Sequence, residues 1–93
     1  MGRYRHRLDT THGPITEVFE SAGWLVKNCS QLDGWVDLTV LSPRGRLFLI
    51  EAKTGTGKLR ESQSKLIADG WPVVVLRSVD EALAFIHTEA RTA

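Results

Sequence analysis

Four residues of this chain have types and spacing that can do chemistry together: Asp37, Glu51, Lys53 and Gln63. Glu51 and Lys53 close a β-prone run, Arg46 to Lys53, and Asp37 lies in an earlier one, Trp35-Val-Asp-Leu-Thr-Val-Leu. Side chains alternate along a strand, so Glu51 and Lys53 share a face with Leu47 and Leu49, while Phe48, Ile50 and Ala52 share the other. A hairpin between the two runs can set Asp37 close to Glu51. Two carboxylates held together resist joint ionisation, and a cation between them removes the conflict. All-oxygen ligation suits magnesium, which takes one or two carboxylates, several waters and substrate phosphate; manganese can substitute. The carbonyl of Ala52 can add an oxygen, making Asp37, Glu51 and Ala52 the expected metal ligands. Lys53 then faces the same cavity, where its ammonium can orient an attacking water or stabilise charge developing on a phosphate. Gln63 falls on one stripe of a following helix with Leu59, Leu66 and Ile67. On a sheet-facing stripe its amide needs a partner, which Lys53 or a site water would supply.

Each residue has a plainer reading taken singly. Glu-Ala-Lys can be a surface pair, Asp37 a strand-end acid and Gln63 a helix-rim residue. Their order on successive elements is what favours a joint site.

Those elements can be read from the pattern. Pro14 opens a helix with Ile15, Val18, Phe19 and Ala22 at helical spacing, and Gly23 stops it. Strands follow over Trp24 to Cys29, Trp35 to Leu41 and Arg46 to Lys53, the last two joined by Ser42-Pro43-Arg44-Gly45, which has turn chemistry. A glycine-containing loop, Thr54 to Lys58, leads into a helix from Leu59 to Asp69, ended by Gly70. A buried-type strand, Pro72 to Arg77, precedes a last helix over Asp80 to Glu89, with Ser78 as cap and Ala82, Leu83, Phe85 and Ile86 towards the core. The order is αβββαβα. The expected fold class is α/β, a four-stranded mixed sheet flanked by helices, with the second and third strands antiparallel and the third and fourth parallel. Residues 1–13 read as a basic arm and residues 14–93 as a single domain.

With 93 residues, a net charge of +1 and a balanced composition, the chain is an ordinary globular domain whose bulk charge does not announce a nucleic-acid binder. Local charge says more: Arg3, Arg5 and Arg7 in the arm, Arg44 and Arg46 in the turn, and Lys58, Arg60 and Lys65 after Lys53 can track phosphates. The single cysteine, Cys29, excludes a disulfide framework within one chain and reads as a core filler. No signal peptide or long apolar run is evident, so a reduced, cytoplasmic protein without membrane contact is expected. Gly55-Thr56-Gly57-Lys58 is no nucleotide-binding loop, because Ala52 stands where a glycine is needed and Leu59 where Ser or Thr is needed. His6, His12 and His87 form no zinc pattern. Trp24, Trp35 and Trp71 read as core or interface residues.

The combination Gly34-Trp35-Val36-Asp37, Phe48-Leu49-Ile50-Glu51-Ala52-Lys53-Thr54, Gly57-Lys58-Leu59, Gln63 and Val74-Val75-Leu76-Arg77-Ser78 resembles the PD-(D/E)XK nuclease superfamily with its restriction-endonuclease-like core, and within it the VRR-NUC family of stand-alone phage or bacterial type. The resemblance spans residues 14–87. It implies a magnesium-dependent endodeoxyribonuclease with Asp37 and Glu51 as metal ligands, Lys53 as catalytic lysine and Gln63 in support. It also implies a homodimer acting on branched DNA such as four-way (Holliday) junctions in replication, repair or recombination. A catalytically silent DNA- or protein-binding module of the same fold, or a nuclease for unbranched DNA, are the alternatives. Val36 stands where the superfamily's name has proline. Many relatives carry a glutamate at the start of the first helix; Glu17 lies nearly opposite the Ile15 and Val18 stripe, His12 is nearer the place, and the role is carried to neither.

Overall fold

The first helix, α1 (His12–Ser21), begins two residues before the expected start and holds Pro14 in its first turn, where the missing amide costs no helical bond. Its end is set by Gly23, whose φ of +87° any Cβ would oppose. Gly23 N–H donates to the Glu20 carbonyl and Trp24 N–H to the Phe19 carbonyl, both at 3.0 Å. This is a Schellman cap, and its hydrophobic contact is the edge-on packing of Trp24 against Phe19, ring centroids 5.0 Å apart. The computed structural model describes residues 12–53 and 58–91; the arm with Arg3, Arg5 and Arg7, the side chain of His12, and Thr54 to Gly57 lie outside the described residues.

The sheet is ordered β1 (Leu25–Asn28), β2 (Leu38–Leu41), β3 (Leu47–Ala52), β4 (Val73–Leu76). β1, β2 and β3 are antiparallel neighbours and β4 runs parallel to β3, as the hairpin and the crossover require. One face carries the main core. Ile15 and Phe19 of α1, Trp24, Leu38, Val40, Ile50, Ala52, Leu76 and Ala82 of α3 (Val79–Ala90) are buried there, with Phe48, Phe85 and Ile86 against them. The other face holds a smaller cluster of Val36, Leu49 and Leu66, flanked by Trp35 and Val73, under α2 (Glu61–Ala68).

The last helix differs from its expected face at one position. Ala82, Phe85 and Ile86 do face the core, but Leu83 is 50% exposed. The inward stripe is completed three to seven residues on by Glu89, which is buried and meets Arg46 at 2.8 Å; Leu83 lies about 100° off that stripe. Ser78 caps α3 as expected, accepting from the Glu81 amide at 3.1 Å. Ile67 of α2 is likewise exposed, because a helix of 8 residues lays only Gln63 and Leu66, one turn apart, on the sheet. α2 starts at Glu61, two residues after the expected start, so Leu59 precedes it. Cys29 is half-buried just past β1, its Sγ 3.4 Å from Thr39 Oγ1, rather than in the core. Trp24 is a core residue, Trp35 is half-buried, and Trp71 is exposed but packs edge-on to Trp35 at 5.2 Å.

α2 ends as α1 does. Gly70, with φ +98°, donates to the Ile67 carbonyl at 3.0 Å and Trp71 to that of Leu66 at 3.1 Å. A Cβ at Gly70 would meet nothing within 4 Å, so the backbone alone resists substitution. Gly70→Ala is therefore expected to lower stability by about 1–2 kcal/mol, read as a lower urea midpoint at unchanged slope.

Candidate active site

β2 begins at Leu38, one residue after Asp37, and this places the first carboxylate. The register Leu38 to Ile50 sets Asp37 level with Glu51. The amides of Leu49 and Lys53 bond towards β4, to Pro72 and Leu76, so by alternation that of Ala52 points towards β2. β2 does not reach there, and Asp37 Oδ2 accepts the Ala52 N–H at 2.9 Å. The Asp37 carbonyl meanwhile accepts from Cys29 N–H at 2.7 Å. Asp37 is thus tied to β3 through its carboxylate and to Cys29, just past β1, through its carbonyl, although it lies outside β2 and not within a strand as the sequence led one to expect.

Glu51 projects from β3 onto the α2 face, in line with Leu49, and is 1% exposed. Gln63 Nε2 donates to its Oε2 at 2.6 Å, and Lys53 Nζ stands 3.3 Å from the same oxygen. Gln63 is itself fully buried. The group its nitrogen meets is therefore Glu51, where the sequence suggested Lys53 as the protein partner. Glu51 Oε1 is buried and makes no hydrogen bond among the described residues. Burial raises the Glu51 carboxyl above its ordinary range, and the charge of Asp37 raises it further; the hydrogen bond and charge of Lys53, then the charge of Arg60, oppose the shift.

This geometry brings together Asp37, Glu51, Ala52, Lys53 and Gln63. Lys58 and Arg60 are exposed just before α2. Glu17 is exposed on α1, which packs on the other face, and among the described residues no three of His, Cys, Asp and Glu converge. The donor set still fits a magnesium ion: a buried carboxylate oxygen lacking a partner, a second carboxylate close enough to repel it, and no soft ligand. Sequence reasoning missed the backbone amide of Arg60, which holds Gln63 Oε1 at 2.9 Å. The signal available was the position of Gln63, three residues after a helix N-cap, where Glu and Gln reach back to the cap amide.

An αβββαβα chain with carboxylates at the central hairpin and a lysine two residues beyond the second carboxylate has the restriction-endonuclease-like fold. A solved structure of a VRR-NUC domain is similar to this chain with a TM-score of 0.65 and 26% identity, over 85% of this chain and 97% of that one. The likeness supports membership of the VRR-NUC family and indicates a nuclease domain. No family model matches the sequence, and no curated protein matches it. Among the described residues no helix is long and apolar enough to cross a membrane.

Proposed function

We propose that this chain is a magnesium-dependent endonuclease that hydrolyses the phosphodiester backbone of DNA. The observation that carries the reading is Glu51: a buried carboxylate, repelled by Asp37, with one oxygen held by Gln63 and Lys53 and the other without a hydrogen bond among the described residues. Left so, an ionised Glu51 is costly; a cation shared with Asp37 offsets that cost. Asp37, Glu51 and the Ala52 carbonyl would hold the ion. When bound, it supplies Lewis acidity at the phosphate and makes water a better nucleophile. Lys53 places a positive charge beside the carboxylates, where it stabilises the charge that builds on the phosphate oxygens as the P–O bond breaks. Gln63 keeps Glu51 in place, and Lys58, Arg60 and the arginines of the arm, Arg3, Arg5 and Arg7, contact flanking phosphates.

Magnesium or manganese is expected to raise the thermal midpoint, since a ligand of the native state stabilises by mass action. Asp37→Asn keeps an oxygen for the Ala52 amide but removes the charge. It should lose the metal response and be no less stable than the parent without metal. Equal metal-induced shifts in parent and mutant would contradict the assignment.

Branched DNA is the substrate we favour, with a homodimer as the active form. A four-way junction presents two strands related by approximate two-fold symmetry, which two identical sites match. Light scattering should give twice 10.4 kDa. A cruciform-bearing supercoiled plasmid should pass directly to linear product by paired incision; a monomer that accumulates open circles first would refute this part of the reading.

A further inference from the structure

The side-chain amide of Gln63 can be turned end for end at little intrinsic cost, because its oxygen and nitrogen have nearly the same shape. Only one orientation serves Glu51. With Nε2 inward, the amide donates to the carboxylate; reversed, its oxygen would face another oxygen at 2.6 Å. A second contact therefore has to choose the orientation, and that contact is the Arg60 N–H, which Gln63 Oε1 accepts at 2.9 Å. Arg60 is the N-cap of α2, where backbone amides have no helical partner and are free to bond elsewhere. The Arg60 side chain, which has only donors, cannot accept from the Gln63 backbone N–H, which donates to the Arg60 carbonyl at 3.0 Å instead; the Gln63 side chain itself links the Arg60 N–H to Glu51.

We propose that the backbone amide of Arg60 is a positioning group for the cation site: through Gln63 it ties down Glu51 Oε2 and so leaves Oε1 as the oxygen presented to magnesium. This rests on the reading of Glu51 as a cation ligand. Ordering of the first turn of α2 and affinity for the cation are then one coupled equilibrium. By reciprocity, magnesium tightens the α2 N-terminus as much as that turn tightens magnesium.

The test separates the amide from the guanidinium. Arg60 has φ −72° and ψ 161°, a conformation proline adopts. Arg60→Pro and Arg60→Ala both lose the guanidinium, but only proline loses the N–H. Magnesium affinity of the full chain, measured by calorimetry without DNA, should be about tenfold weaker in Arg60→Pro than in Arg60→Ala, the scale on which an outer hydrogen-bond partner acts on a metal site. In a Gln63→Leu background the difference between proline and alanine should vanish, which a general loss of helix stability would not produce. Equal affinities of the two Arg60 variants, in a parent that binds magnesium, overturn this inference and leave the nuclease reading standing; a parent that binds no magnesium overturns both. Should Arg60→Pro fail to fold, amide hydrogen exchange decides. The Arg60 amide should be protected in the parent, more so with magnesium, and exposed in Gln63→Ala. Free exchange of that amide in the parent overturns the inference.

Discussion

Lys53→Ala should bind DNA nearly as tightly as the parent and cut it ~10²–10³-fold more slowly, the scale for removing one preorganised electrostatic contact. Lys53 is 17% exposed and its ammonium lies 3.3 Å from Glu51, so its charge stands in a largely dry setting beside a carboxylate, not among the surface cations. The loss should fall on kcat, because the contact matters most where charge builds in the transition state. Single-turnover cleavage at saturating enzyme, alongside binding in calcium, separates the two effects. Cutting at the parent rate would remove Lys53 from the chemistry.

The second large effect concerns Glu51. Glu51→Gln should abolish magnesium-supported cutting while leaving the metal-free fold more stable at neutral pH. The sign follows from the direction of its shift. Burial, then Asp37, raise the carboxyl in the folded chain. A raised acid contributes stability that is fully present below the ordinary carboxylate range and is lost as pH climbs through the raised value. Glu51→Gln removes that loss, because a neutral amide still accepts from Gln63 and no longer repels Asp37. Metal-free thermal midpoints should therefore fall with rising pH more steeply in the parent than in the mutant. Magnesium, by favouring the ionised form, should reduce that fall in the parent alone. A parent and mutant with parallel pH profiles would show that Glu51 is not held against its charge.

Most of this arrangement is legible in the residues. The αβββαβα order follows from turn chemistry and periodicity, and the alternation along β3 puts Glu51 and Lys53 on the face opposite Ile50 and Ala52, as found. What pattern alone could not supply was decided by tertiary contacts. Asp37 is not a strand residue, because its carboxylate takes the amide that a longer β2 would have bonded through its backbone. Leu83 and Ile67 look like core residues by composition, but the stripe each helix buries is fixed by its seat on the sheet. In α3 that stripe runs through a glutamate, Glu89, which Arg46 makes tolerable inside. Gln63 was legible as a buried amide on the right face. That it contacts Glu51, and that a backbone amide orients it, depends on two distances that no spacing encodes.

The central claim is that Asp37 and Glu51 hold a cation for cutting DNA. It is tested most directly by incubating the parent and Asp37→Asn with a four-way junction, a flap and a plain duplex of the same sequence, in magnesium and in chelator. Incision is expected from the parent in magnesium only, fastest on the junction, and from Asp37→Asn on no substrate. Cleavage that persists in chelator or in Asp37→Asn, or a parent that cuts nothing in magnesium, would contradict it.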